Sequence, residues 1–481
     1  MPSFYIENFG CRASQADGAA LYRQLASRGI IPGLADVADY VILNTCTVTA
    51  TADQEARAAL RRIRRRNPEA RILVTGCYAQ RAPAEVAALP GVAWVAGNSH
   101  KHRIADILAS CQEVASEAAS NVASVTPPTS GFVPLSTLHP QPIIHIGDIF
   151  AHTELLAAPV FGAGDDHTRP ILKVQDGCDN RCSFCVIPSV RGQSRSRHLT
   201  DVISDIHALV TAGYQEVVLS GINLGRWGRD LSPCSHFEAL VEAILEQTSL
   251  PKLRISSVEP MDWSRRLIAL IGASPRIAKH AHVPLQSGSD SVLRRMHRKY
   301  RPWHYREKIE QIRAAMPTAA IGADVMVGFP GETDAEFDET RRLIEVLPFT
   351  YLHLFPFSAR PGTPAAIAAD PVPAHLTHDR IAILREIIAA KKLAFARSFV
   401  GQTLSAITLR PPARELLYPE ATSTPAISDN YLKLRLTGSY PANQWLQVHI
   451  IREAEGVLTA TSLPKPPTCY TLEAFQSCTG G

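Results

Sequence analysis

Three cysteines fall within eight residues, in the run Gly177-Cys178-Asp179-Asn180-Arg181-Cys182-Ser183-Phe184-Cys185. Thiolates at this spacing can wrap one small inorganic core. Soft sulfur ligands suit an iron–sulfur cluster or zinc. A structural zinc site takes four protein ligands. This run supplies three and no obvious fourth, which favours a cluster with one open iron, able to chelate a substrate or cofactor; a structural zinc loop is the alternative. Three more cysteines sit in Asn8-Phe9-Gly10-Cys11, Asn44-Thr45-Cys46 and Thr75-Gly76-Cys77. Each comes just after a short apolar run. If those runs are parallel strands, their ends share one sheet edge and the thiols can converge. Three unrelated buried cysteines are the alternative. Cys111, Cys234, Cys469 and Cys478 lie outside these patterns and read as packing or surface thiols.

The elements that must position the thiols follow from patterning. Phe4–Ile6, Tyr40–Leu43 and Ile72–Val74 read as buried parallel strands, each followed by a segment of helical character. We expect a small α/β domain over 1–111. The second helix carries an apolar stripe of Ala56, Leu60 and Ile63, with six arginines between Arg57 and Arg66 outside it. Residues 112–168 are rich in Ala, Ser, Thr and Pro, as expected of a linker or insertion.

Over 169–397, strand candidates at Ile171–Val174, Glu216–Ser220, Lys252–Ser256, His282–Leu285, Ala323–Val327 and Tyr351–Phe355 alternate with helical patterns. Six such units predict a partial (β/α)6 parallel barrel, whose ligands sit at the carboxyl ends of the strands. Residues 398–463 switch to β-type alternation at Leu404–Leu409, Tyr431–Leu436, Trp445–Ile451 and Val457–Leu463, the pattern of a small antiparallel β-barrel. An irregular tail, 464–481, follows. The overall class is α/β.

Composition narrows the function classes. The 481 residues are 46% hydrophobic and 20% charged, which excludes bulk disorder, collagen and coiled coil. Ten cysteines in that length are too sparse for a disulfide scaffold. The N-terminus lacks a basic and then apolar leader, and no apolar run is long enough to span a bilayer. A cytoplasmic protein without a membrane partner is expected. The net charge of +4 permits a nucleic-acid partner without requiring one.

The cysteine run resembles that of the radical S-adenosylmethionine enzymes. The resemblance implies that Cys178, Cys182 and Cys185 hold a [4Fe–4S] cluster whose open iron binds S-adenosylmethionine, and that one-electron reduction then gives a 5′-deoxyadenosyl radical. The wider set ILNTCTV, LVTGCYA, KVQDGCDNRCSFCVIPSVRGQSRSR, VVLSGINLGRWG, ISSVEP, VPLQSGSDSVLRRMHRKY, GADVMVGFPGET and HLFPFSARPGTP resembles the methylthiotransferases over nearly the whole chain. That implies a second [4Fe–4S] cluster on Cys11, Cys46 and Cys77, and a C-terminal barrel of the TRAM type.

Asp176-Gly177-Cys178-Asp179, RGQSRSR and LFPFSARPGTP look most like the class that acts on N6-threonylcarbamoyladenosine beside the tRNA anticodon. The implied product is its 2-methylthio derivative. The implied reductant is a flavodoxin or ferredoxin. Methylthiolation of isopentenyladenosine or of a ribosomal-protein aspartate is the alternative within the chemistry, and a noncatalytic metal-binding RNA chaperone the alternative outside it.

Gly221 and Asn223 follow the second barrel strand, Glu259 and Gln286 end the third and fourth, and Arg298 lies beyond; these five are the candidate S-adenosylmethionine contacts, with loop-shaping or core polar roles as the alternative. The arginines of 57–66, with Arg191, Arg195 and Arg197, are candidate phosphate contacts, solvated faces and local ion pairs being the other reading. The C-terminal barrel is charge-neutral: Arg410, Arg414, Lys433, Arg435 and Arg452 are balanced in number by Glu415, Glu420, Asp429, Glu453 and Glu455. Tyr431 is either a base-stacking residue or a core strand residue.

Overall fold

A computed structural model describes residues 1–109, 141–152, 155, 156, 158, 168–411, 423–454 and 456–464. They form two compact units, Met1–Lys392 and Leu393–Gly481. Most of the 112–168 segment lies outside the described residues, as do Cys111, Cys469, Cys478 and the tail beyond Pro464.

In the first unit, β1 (Ser3–Asn8), β2 (Ile31–Pro32), β3 (Tyr40–Thr45), β4 (Arg71–Gly76), β5 (Val92–Gly97) and β6 (Ile143–His145) make a parallel sheet in the order β2-β1-β3-β4-β5-β6. All six residues of β3 are buried, as a central strand covered on both faces requires. Val41, Leu43, Ile72 and Val74 pack on one face with Ala56, Leu60 and Ile63 of helix Ala50–Arg66. Phe4, Ile42, Leu73 and Trp94 pack on the other with Leu21 and Leu25 of helix Arg12–Ser27. Thr49 caps the first of these helices, its hydroxyl accepting from Ala52 N at 3.2 Å. Within the expected 112–168 linker, Ile143–His145 instead adds the edge strand β6.

The second sheet system holds β7 (Ile171–Asp176), β8 (Arg195–Ser196), β9 (Glu216–Gly221), β10 (Lys252–Ile255), β11 (His280–His282), β12 (Ala320–Val327) and β13 (Tyr351–Pro356). Its orders are β10-β9-β7-β8 and β11-β12-β13, joined by parallel bridges Leu253–Ile277 and Ser257–His282. Six parallel strands thus form a partial barrel, with β8 antiparallel at one edge. The apolar core lies outside the strands. Leu172, Val174, Val217, Leu219, Leu253, Ile255, Ala281, Ile321, Ala323 and Val325 face the surrounding helices there.

The fourth strand is shifted from its expected place. It ends at His282: Val283 N and Leu285 N still donate to Gly322 O and Asp324 O of β12, but the Val283 carbonyl accepts from the Tyr305 hydroxyl at 2.7 Å. Helix Pro302–Ala315 adds to the expected elements; its Tyr305, Ile309 and Ile312 fall on one helical face and are buried. Helix Asp334–Val346 begins at a Thr333/Glu336 capping box, which explains the Thr that precedes it.

The second unit is a closed barrel of β14 (Thr403–Thr408), β15 (Ser423–Ser428), β16 (Lys433–Thr437), β17 (Trp445–Ala454) and β18 (Val457–Ser462), in the order β14-β15-β16-β18-β17. Its core holds Ala406, Leu434, Leu436, Val448, Ile450 and Leu458. Two expectations are corrected. The barrel has a fifth strand, β15, disguised by Pro425 and small polar residues, and β16 pairs with β18 in parallel. Tyr431 stands in the turn before β16 at φ +69°, outside any strand.

Candidate functional site

Cys11, Cys46 and Cys77 follow β1, β3 and β4, at one edge of the first sheet. Gly10, at φ +93°, lets the chain pass close over Cys46; a Cβ there would lie 2.5 Å from the Cys46 Cβ and 2.8 Å from its Sγ. Cys46 and Cys77 are buried, 6% and 2% exposed, while Cys11 is exposed. Burial first, then the neighbouring Cys77 and Cys11 sulfurs, push the Cys46 thiol up to about 12. Such a sulfur ionises readily only beside a compensating positive centre, which is what a metal core provides.

Cys178, Cys182 and Cys185 lie on the loop after β7, at the carboxyl end of the barrel. Asn180 N and Asn223 Nδ2 approach Cys178 Sγ at 3.4 and 3.5 Å, and Arg298 Nη1 approaches Cys182 Sγ at 3.2 Å. Burial pushes the Cys185 thiol up to about 12 and that of Cys178 up as well. The other candidates gather around this loop. Gly221 ends β9 beside Gln175, whose Oε1 accepts from Asn223 N at 2.7 Å. Glu259 pairs with Arg298, whose guanidinium lies 4.9 Å over the Tyr300 ring. Gln286 holds φ +64° and donates its N–H to Asp324 O at 2.8 Å.

Asn223 Oδ1 and Gln286 Oε1 are buried acceptors with no hydrogen-bond partner. Unsatisfied buried acceptors are costly unless a ligand pairs them. Hydroxyl and ammonium groups such as those of S-adenosylmethionine fit this donor demand, and three soft sulfurs beside them fit an iron–sulfur core with one open position.

The two thiol sets meet across a thin layer of side chains. Val186, next to Cys185, packs with Val190 against Cys77. Asn98 Nδ2 donates to Val190 O at 2.7 Å and also approaches Cys77 Sγ at 3.4 Å. Below that layer, helix Arg12–Ser27 leans on the barrel, where Ala16 packs against Ile171 and Val218. Its Asp17 receives Lys101 Nζ at 2.9 Å and Arg191 Nη2 at 3.1 Å, and pairs with Lys173. Asp176 takes Arg191 Nη1 at 2.9 Å and Lys173 Nζ at 2.9 Å. Arg191 Nε is buried there without a partner. Thr47 and Asp53 of the first domain also hold Arg360 of the SARPGTP loop.

Three arginine expectations change. Arg191 is buried in the network just described, Arg195 donates to the His152 and Arg191 carbonyls, and Arg197 pairs with Asp205 at 2.6 Å. None is a free phosphate contact. On helix Ala50–Arg66, Arg57 and Arg62 pair with Glu85 and Glu7, Arg64 donates to Pro68 O, and Arg61, Arg65 and Arg66 are exposed. Asp17, Lys101 and Asn98 carry no sequence signal, because charged or amide residues on helices normally face water.

A family model described as "Uncharacterized protein family UPF0004" matches residues 3–97, and that of the Radical SAM superfamily matches 172–344. The chain is 34% identical over 442 residues to the threonylcarbamoyladenosine tRNA methylthiotransferase MtaB of Bacillus subtilis, covering 91% of each. It is 32% identical to the tRNA-2-methylthio-N(6)-dimethylallyladenosine synthase of Novosphingobium aromaticivorans, covering 85% of this chain and 87% of that one. The solved radical S-adenosylmethionine methyltransferase TsrM from Kitasatospora setae shares the fold at a TM-score of 0.52 and 14% identity, covering 76% and 77% of the two chains.

Proposed function

We propose, from the premise that this chain belongs to the radical SAM tRNA methylthiotransferase family, that it converts N6-threonylcarbamoyladenosine beside the tRNA anticodon into its 2-methylthio derivative. The observation that carries the chemistry is the pair of three-cysteine sets at the carboxyl ends of two parallel sheets, separated by Val186 and Val190, and the choice of nucleoside is supported by the likeness to MtaB. One set alone fits radical generation. A second set packed against the loop of the first, through Cys77 and Val186, fits sulfur insertion. Methylthiolation replaces a C–H bond at carbon 2 of adenine, which is not acidic enough for ordinary acid–base catalysis. When bound, two [4Fe–4S] clusters and S-adenosylmethionine supply one-electron cleavage, sulfur and methyl-transfer chemistry.

The chain's own residues hold and orient these groups. Cys178, Cys182 and Cys185 ligate the radical-generating cluster, and Cys11, Cys46 and Cys77 the auxiliary one. Asn223 and Gln286 offer buried acceptors to S-adenosylmethionine, with Gly221 shaping the backbone beside it. Arg298 meets the sulfur of Cys182 as well as Glu259, so this ion pair would hold the Glu259 carboxylate beside the cysteine loop, ready to meet S-adenosylmethionine. Residues 1–111 carry the auxiliary cluster, 169–397 the radical core and 398–463 a TRAM-like barrel. Among the described residues no helix is long and apolar enough to cross a membrane. A cytoplasmic enzyme served by a flavodoxin- or ferredoxin-type donor is the setting we propose.

Mass spectrometry of tRNA nucleosides from a deletion strain tests the substrate. Plasmid-borne wild type should restore the methylthio-threonylcarbamoyl nucleoside, and Cys46→Ala or Cys182→Ala should not. Restoration of only the methylthio-dimethylallyl nucleoside would reject the substrate.

A further inference from the structure

The inner face of β11–β13 is polar where a sheet facing a packed core would be apolar. On β12, Ile321, Ala323 and Val325 point out to the helices, so Gly322, Asp324 and Met326 point in. On β13, Leu352 and Leu354 pack outward and Tyr351, His353 and Phe355 point in. Gly322 lets the Tyr351 ring lie across it, since a Cβ there would sit 2.0 Å from that ring. Tyr351 Oη then bridges His280 Nε2 at 2.7 Å and His282 Nδ1 at 3.0 Å. His282 Nε2 meets Asp324 Oδ2 at 3.2 Å, and His353 Nδ1 meets Asp324 Oδ1 at 3.3 Å. Burial alone would raise the Asp324 carboxyl, but hydrogen bonds from the two imidazoles outweigh it and hold the group ionised.

This chain of side chains ends in an exposed group. The His353 side chain is 65% exposed. With Nδ1 turned to Asp324, its Nε2 is the ring nitrogen left for another partner. The location is next to the proposed chemistry. Phe355, one inward position further along β13, packs with Met326 in a cluster that includes Phe184 of the cysteine loop. Gln286, the proposed S-adenosylmethionine contact, is hydrogen-bonded to the Asp324 backbone. None of these residues belongs to either thiol set.

We propose that His353, held by Asp324 and backed by His282, forms the subsite that hydrogen-bonds the polar N6 substituent of the target adenosine. The ligand class is a hydroxyl- and carboxylate-bearing amino-acid group. An imidazole fixed at Nδ1 presents one directed hydrogen-bonding nitrogen to such a group. An isoprenoid substituent would cover the same nitrogen and leave it unpaired. A site built to hydrogen-bond its substrate discriminates strongly against an analogue that lacks the partner. The inference rests on the threonylcarbamoyl reading above and extends it to the residue that selects the substituent.

The experiment uses reconstituted full-length enzyme and two anticodon stem-loops, one bearing N6-threonylcarbamoyladenosine and one N6-dimethylallyladenosine. His353 is exposed, so His353→Ala and His353→Leu should fold and load iron as wild type does. The expected result is a KM for the threonylcarbamoyl stem-loop raised about tenfold or more in both variants. RNA-independent formation of 5′-deoxyadenosine should be unchanged, and the preference over the dimethylallyl stem-loop should shrink in His353→Leu. An unmoved KM, with wild type turning over the threonylcarbamoyl stem-loop, would overturn the subsite and leave the reading standing. Failure of wild type on that stem-loop, with turnover of the dimethylallyl one, would sink the reading itself. The same preparations are titrated with Co2+. One equivalent bound by wild type and lost in His353→Ala would make the His282, Asp324 and His353 triad a metal centre, and would also overturn the proposal.

Discussion

Asp17 is 2% exposed and is shared by three cations from separate parts of the chain: Lys101, Lys173 and Arg191. Burial works against its charge, but the three cations win and hold its carboxyl down to about 2, below the ordinary 3.8. Removing one side of a buried network strands the other. We expect Asp17→Asn to lower unfolding stability by about 3–5 kcal/mol in denaturant titration. The pH dependence has a definite sign. A depressed folded-state pKa gives stability that is complete above the unfolded value of about 4 and is lost as pH falls toward about 2. Denaturant midpoints of wild type should therefore fall across that window, and those of Asp17→Asn should fall less. At this scale Cys178, Cys182 and Cys185 were legible because their spacing is a ligand pattern in itself, and Cys11, Cys46 and Cys77 because each follows an apolar run. Asp17 and Asp324 were not, since their partners come from elements distant in sequence.

Helix Arg12–Ser27 begins immediately after Cys11 and packs against the barrel through Ala16 and Asp17, so one element serves both the second thiol set and the seam with the barrel. Its entry turn depends on Gly10. Gly10→Val would force a side chain into the space of Cys46 at a backbone angle that β-branched residues avoid. The expected outcome is loss of about half the cluster iron, with the cluster on Cys178, Cys182 and Cys185 kept. Iron assay and electron paramagnetic resonance of the reduced protein would read this; full iron loading would refute it. Most elements were legible from periodicity. The misses have physical causes: Pro425 hid β15, the Tyr305 hydroxyl donates to the Val283 carbonyl at the end of β11, and the parallel β16–β18 pair depends on barrel closure, which no local pattern encodes.

For the whole molecule, RNA affinity is a question of where the +4 charge is available. Arg191, Arg195 and Arg197 are committed to internal partners. Arg61 and Arg65 are exposed on helix Ala50–Arg66, and neither has an ion-pair partner among the described residues. Replacing both with Glu should weaken tRNA binding across sequences and flatten the dependence of log affinity on log salt, by a slope of about one for each phosphate that the arginines no longer neutralise. Filter binding over a salt series measures it, and an unchanged slope would exclude this helix from the RNA footprint.

The exposure gradient among the second three cysteines has its own consequence. Cys77 and Cys46 are sealed and Cys11 is open, so that set has one accessible side. In the function proposed above, whatever reaches this set from solvent meets Cys11 first. Cys11 is thus the thiol of that set most open to oxidation when the set is empty, and Cys46 and Cys77 the two that the fold shields.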